Sequence, residues 1–215
     1  MRTRRLRPLD RVIGQFDHAL RTVSGHVGKT SRPSPATGPD KQTLSPREQI
    51  EAGRLMRINH CGEVCAQALY NGQALTAHNE RTAASLQHAA AEETDHLSWC
   101  EGRIRELDGH VSHLNPIWYG ASFSLGALTG LLGDRINLFG SLPQPRNRSK
   151  NISRIYLDRL PPADTRSRAI LRQMSEDEAK HGRTALDLGG TRFPPAVKHI
   201  MRGISRAMTG STYWI

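Results

Sequence analysis

Glu93 with His96, and Glu178 with His181, form two Glu-x-x-His pairs in a chain of 215 residues. On an α-helix, residues i and i+3 share a face, so each pair presents a carboxylate and an imidazole to the same point in space. Two such faces turned toward each other make a cage of hard oxygen and imidazole nitrogen donors, a set suited to iron and similar transition metals. The first pair lies in the run Ala89 to Leu97 and the second in Met174 to His181, both free of Gly and Pro and rich in helix formers. Glu93, His96, Leu97, Cys100 and Ile104 fall on one helical stripe; Ile170, Leu171, Met174, Glu178, His181, Ala185 and Leu188 fall on another. An ionisable pair inside an apolar stripe is costly to bury unless it is compensated, and a bound cation compensates it. The opposing reading makes Glu92, Asp95, Glu176 and Asp177 a solvated acidic face with surface histidines. Solvated faces, however, keep their charges off the apolar stripe.

A bundle that holds two metals takes a single Glu from each of two helices and a Glu-x-x-His from each of the other two. The run Ile58 to Gln73 reads as a helix with Glu63 on its inner face, at a distance from Glu93 that leaves room for an antiparallel hairpin. His60, one turn before Glu63, has two open readings, a group supporting the ligands or a residue of the helix start. Asp95 and Asp177 are candidates for orienting the imidazoles, a common task of groups just outside a metal site.

The run Arg57 to Leu75, with its Asn-His-x-Gly-Glu, and the run Glu92 to Leu107, with its Glu-x-x-Asp-His core, resemble the demethoxyubiquinone hydroxylases of ubiquinone biosynthesis. The likeness extends to Asn115–Arg135 and Ser167–Trp214, most of the chain. It implies an all-α fold, a ferritin-like four-helix bundle with additional membrane-surface helices, holding two iron ions bridged by carboxylates. Glu63, Glu93 and His96 would serve the first half of the site, with Glu93 bridging, and Glu178 and His181 the second. With O2 as co-substrate, such a site hydroxylates the ring of demethoxyubiquinol. The implied partners are a polyprenylated quinol, a membrane surface, and further copies of the chain or a ubiquinone-biosynthesis complex. The implied location is the cytoplasmic side of the cell membrane, with the mitochondrial inner membrane as the alternative. Other classes that share the ligand pattern are a ferritin-like or rubrerythrin-like iron- or electron-handling protein and a non-catalytic lipid-binding scaffold.

In one respect the chain departs from the family. The second half should supply its own single Glu near Pro145 or Arg146, yet between Asp134 and Asp158 there is no acidic residue. Pro143 and Pro145 oppose a helix, and Arg146 and Arg148 put positive charge where a cation is to bind. Codons offer a cause. Arg-Asn-Arg-Ser written AGG-AAC-AGG-TCN reads Glu-Gln-Val from GAA, and the preceding codon is open to GAG. A local frameshift across roughly 138–156, restored near Leu157, would turn an acidic helix into basic coil. A divergent loop with the ligand supplied elsewhere is the milder reading.

The elements that must position these residues follow from periodicity. Helices are expected near 8–23, 47–77, 81–109, 116–133, 165–189 and 194–209, and runs of alternating β-branched residues are absent. Aromatics make up only 5% of the chain, which suits an Ala- and Leu-rich bundle. Three segments follow: an N-terminal amphipathic helix (1–23), a flexible linker (24–46) carrying Pro33, Pro35, Pro39 and Pro46, and the di-iron domain (47–215). Cys61, Cys65 and Cys100 include no Cys-x-x-Cys and read as buried thiols. Arg2, Arg4, Arg5 and Arg7 precede no apolar core, so they are not a secretory signal; a mitochondrial presequence is the alternative. The net charge of +10 favours an anionic partner. Zinc-finger spacing and aromatic-interleaved basic strands are both missing, so nucleic acid is disfavoured. Asn115 to Gly133 carries no charge and is expected to lie on one leaflet with Trp118 and Tyr119 at the interface, the alternative being a buried core helix. Val197 to Met208, apolar positions interleaved with Lys198, Arg202 and Arg206, is a second surface-binding candidate.

Overall fold

The computed structural model describes residues 8–24, 30–40, 43–133, 156–187 and 195–215. Its elements are α1 (Pro8–Val23), α2 (Pro46–Thr76), α3 (Glu80–Glu106), α4 (Asn115–Leu131), α5 (Thr165–Asp187) and α6 (Pro195–Trp214), and no strand occurs among the described residues. Helix starts follow local chemistry. Ser45 caps α2 in a reciprocal box with Glu48, and Pro46 occupies the first turn, where a missing N–H costs nothing. Asn79 caps α3 through the Arg81 amide.

Contacts along the helices set their directions. α2 and α3 form an antiparallel hairpin, while α5 runs antiparallel to α3, with Met174 against Cys100 and Ser167 against Arg103. One apolar cluster joins Leu55, Met56, Trp99, Ile104, Ile170 and Met174 at one end of this unit; a second, of Tyr70, Ala74, Leu86 and Ala90, closes the other end of the hairpin. The interior carboxylates lie between the two.

α4 runs parallel to α2 and touches it backbone to backbone. A Cβ at Gly72 would lie 2.2 Å from the Phe123 carbonyl oxygen, and one at Gly126 would lie 2.3 Å from that of Leu69. Only glycine permits this approach. Asn115, Tyr119, Gly126 and Gly130 are buried in the contact. Tyr119 joins Val64, Ala68 and Leu97 in the core, so the expectation that it sits at a membrane interface is corrected: a spacing of four residues from both Asn115 and Phe123 carries it to the inner face. Trp118 is half-buried.

α6 continues five residues past its expected end at 209 because tertiary contacts hold its last turn. Thr212 is buried against Cys61, and the Tyr213 phenol donates to Glu51. Residues 31–40 also differ from expectation. Read from composition as flexible linker, they form a strap along the α3/α5 seam, fixed at one end by Ser31 and Arg32 on Asp95 and at the other by Asp40 on Arg103. Composition reports chain stiffness and polarity but not distant carboxylate partners, which decide order here. Pro145, Arg146 and the altered segment as far as residue 155 lie outside the described residues, as do Arg2, Arg4, Arg5 and Arg7.

The α2/α4 contact generates a prediction. Gly126→Leu inserts a side chain where rigid backbone lies within bonding distance, so the helices must separate. We expect a loss of about 2–3 kcal/mol and a fall in Tm of roughly 5–10 °C by calorimetry, whereas Gly120→Leu, with open space at its Cβ, leaves Tm nearly unchanged.

Candidate metal centre

Glu63 from the middle of α2, Glu93 and His96 from successive turns of α3, and Glu178 from α5 meet in the interior, with one donor atom of each within 4.8 Å of all the others. Glu93 and His96 are completely buried. The helical stripes account for this convergence: Leu97, Cys100 and Ile104 pull one face of α3 inward, and Ile170, Leu171 and Met174 do the same for α5. The fifth expected ligand, His181, stands one turn beyond Glu178 on α5; its side chain lies outside the described set.

The His96 ring is held at both nitrogens. Nδ1 is 2.9 Å from Glu93 Oε2 and 3.5 Å from Glu63 Oε2, while Nε2 is 3.1 Å from Asp177 Oδ2. Asp177 accepts from Nε2–H, while Nδ1, whose own proton faces the Glu93 and Glu63 carboxylates in the metal-free chain, is the atom directed at the cluster. Asp177 thus orients the imidazole of the other Glu-x-x-His pair. Asp95 meets the strap instead, accepting from the Ser31 amide and hydroxyl and from Arg32.

Close carboxylates in an apolar interior distort each other's protonation. Burial, then the charges of Glu63 and Glu178, push the Glu93 carboxyl well above the usual range. Burial works against a charge on His96, but the hydrogen bonds and fields of Glu63 and Glu93 override it and raise its pKa to about 11. Asp177 goes the other way: burial raises it, and hydrogen bonds from His96 and Arg32 bring it below its ordinary value. Protons are therefore retained where the donors converge and excluded just outside. Three carboxylates and an imidazole so arranged form a donor set that a divalent cation completes, displacing those protons.

His60 is mid-helix and fully buried, with burial lowering its pKa to about 4 against the opposing field of Glu63. Its Nδ1 lies 3.5 Å from the Asn115 amide nitrogen, at the start of α4. The helix-start reading is therefore removed; His60 supports the α2/α4 seam outside the four-donor cluster. Sequence reasoning missed Tyr70, two turns beyond Glu63. It is buried, and burial followed by the fields of Glu178, Glu93 and Glu63 raises its phenol well above the ordinary value. Its position on the Glu63 stripe was the available signal.

The family model described as "Ubiquinone biosynthesis protein COQ7" matches residues 51–141, which include Glu63, Glu93 and His96. Over the whole chain, similarity is carried by relatives bearing the name 3-demethoxyubiquinol 3-hydroxylase. The protein from Nitrosococcus oceani is 49% identical over 215 residues, covering 100% of both chains. That from Nitrosospira multiformis is 50% identical over 207 residues, 96% of this chain and 99% of its own, and that from Stutzerimonas stutzeri is 50% identical over 208 residues, 97% and 96%. The chain belongs to the COQ7 family. The family-model match ends at residue 141, inside the stretch without acidic residues.

Metal binding at this centre should release protons, since His96 and Glu93 both hold them more tightly than free side chains do. The sign is fixed: metal and proton compete for the same atoms, so affinity rises with pH, about tenfold per unit for each proton displaced. Calorimetric titration with cobalt(II) in two buffers of different ionisation enthalpy, at pH 6 and pH 8, measures the number released. A pH-independent affinity would contradict the assignment of Nδ1 and Glu93 to the metal.

Proposed function

We propose that this chain is a 3-demethoxyubiquinol 3-hydroxylase that binds iron at Glu63, Glu93, His96, Glu178 and His181 and works as a peripheral protein on the cytoplasmic face of the cell membrane. The observation that carries the reading is the convergence of three carboxylates and an imidazole in a buried centre, in a chain about half identical to hydroxylases along its full length. Two irons held there would supply reductive activation of O2: with two electrons from an external reductant and two protons, one oxygen atom would go to the quinol ring and the other would leave as water.

The chain's own residues do the rest. Asp177 holds the Nε2–H of His96 and so keeps Nδ1 aimed at the centre. Glu93, buried beside Glu63 and Glu178, would hold the metal together with them. The apolar clusters on either side exclude water from the chemistry. Tyr70 faces the carboxylates from the Ala74–Leu86 side and can hold a phenolic proton toward them.

A polyprenylated quinol must enter from lipid, and α4 supports that route. Its inner face is bound to α2, while Ile117, Leu125, Leu128, Leu131 and Leu132 are exposed, Leu132 by 71%. The neighbouring α1 exposes Ile13 and Leu20. Exposed apolar side chains on adjoining helices form the kind of surface that lies in a leaflet. No helix among the described residues is long and apolar enough to cross a membrane, which agrees with binding from one side. Flotation with liposomes should therefore carry the wild type upward and leave Leu125→Glu/Leu128→Glu in the dense fraction. Equal partitioning would remove α4 as the anchor.

The segment between Asp134 and Asp158 bears on turnover. We read it as a local frameshift that removed one carboxylate ligand, a reading supported by the family match ending at 141. Iron content and O2-dependent hydroxylation of a demethoxyubiquinol, measured on the same samples, test this together with the function. The chain as written is expected to hold less than two irons and to turn over poorly. The chain re-read in the shifted frame across roughly 138–156 is expected to hold two and to hydroxylate, and Glu178→Ala in that background to lose both. Two irons and full turnover from the chain as written would overturn the frameshift reading. Hydroxylation that survives Glu178→Ala would overturn the site.

A further inference from the structure

The strap between α1 and α2 ends at the metal centre. Arg32 Nε donates to Asp95 Oδ2 at 2.9 Å and Nη1 to Asp177 Oδ2 at 2.8 Å, so one guanidinium joins an aspartate from each of the two Glu-x-x-His regions, one on α3 and one on α5. Both carboxylates are nearly closed to solvent, with 1% and 6% of their side chains exposed. Ser31 adds its amide and hydroxyl to Asp95, each at 2.7 Å. Arg32 lies over the Trp99 ring at 4.9 Å, the Trp99 indole N–H donates to the Arg32 carbonyl, and Trp99 packs against the His96 ring. Arg32 is thus fixed at its backbone, its plane and its fork.

We infer that Arg32 is a positioning residue for the metal centre: its guanidinium holds the same Asp177 oxygen that accepts the His96 Nε2–H, and so sets where His96 Nδ1 points. The inference rests on the metal reading above and goes beyond it, because Arg32 belongs to neither Glu-x-x-His pair and lies in a segment whose composition suggests a linker. Geometry supports one guanidinium for two carboxylates. Arginine's planar fork spans two acceptors at once, and lysine's single ammonium cannot reproduce both directions. Without Arg32, Asp177 keeps Gln173 and the more distant Lys180 on Oδ1, and its Oδ2 is left with the His96 ring alone among the described residues. The carboxylate is then free to rotate away from His96. A structural role would show as lost stability alone; a positioning role must also change metal affinity and the His96 ring proton.

Cobalt(II) titration of the full chain, followed by visible absorption, and proton NMR of the metal-free protein separate these roles. Arg32→Ala should weaken cobalt binding about ten- to a hundredfold, and Arg32→Lys should recover part of the loss. Asp40→Asn, which loosens the opposite end of the strap at Arg103, should lower Tm while leaving cobalt affinity unchanged. In metal-free protein the His96 Nε2–H should give a downfield, exchange-protected resonance in the wild type and in Asp40→Asn, and lose its protection in Arg32→Ala. If Arg32→Ala binds cobalt as tightly as the wild type with the resonance intact, the inference is wrong. It is also wrong if Asp40→Asn weakens binding as much as Arg32→Ala. A wild type that binds no cobalt would overturn the metal reading instead, and the ring-proton comparison would still decide whether Arg32 controls His96 through Asp177.

Discussion

Carboxylates that converge away from water are the constraint on which the rest of this molecule depends. Two like charges about 4 Å apart repel by about 4 kcal/mol at an effective dielectric near 20, a large part of the roughly 5–15 kcal/mol that stabilises a typical domain. The bundle bears this by alternating charge outward from the centre. Glu93 and Glu63 face His96, His96 faces Asp177, Asp177 faces Arg32, and Arg32 faces Asp95. Among the described residues this series of contacts alternates in sign from the innermost carboxylates to the strap.

That network needs rigid supports, and α2 is the common one. It carries Glu63, lends its first half to the large apolar cluster, and contacts α1, α3, α4 and α6. The glycine contact with α4 matters because it buries one face of an otherwise apolar helix at minimal helix separation. The opposite face remains exposed without loosening the bundle. A core helix would bury its leucines all round, and a spanning helix would be longer. α4 does neither: it buries one face against α2 and leaves the leucines of the other exposed.

What could be read from the sequence was whatever repeats with helical period. The six helices, the inward faces of α3 and α5, and the meeting of Glu63, Glu93, His96 and Glu178 all follow from 3.6-residue spacing, because apolar neighbours one turn away decide which way a side chain turns. Tyr119 was misplaced because composition was weighed above its spacing. Asp177 was recognised as an orienting group, but its partner on α3 was not, and Arg32 was missed altogether. Those contacts join residues far apart in the chain, with no local pattern on the strap to announce them. A Pro- and Ser-rich segment looks mobile until the charges it meets are known.

Charge balance also shows why the stretch between Asp134 and Asp158 is decisive. Glu63, Glu93 and Glu178 bring three negative charges, and neutral imidazoles bring none. Two divalent ions among three carboxylates would leave one positive charge in the interior, whereas one ion would leave one negative charge. A fourth carboxylate would instead neutralise two ions fully. The acidic residue absent from the sequence between positions 134 and 158 therefore alters which metal occupancy is electrostatically neutral, and the difference between one ion and two comes from a missing charge as much as from a missing bond.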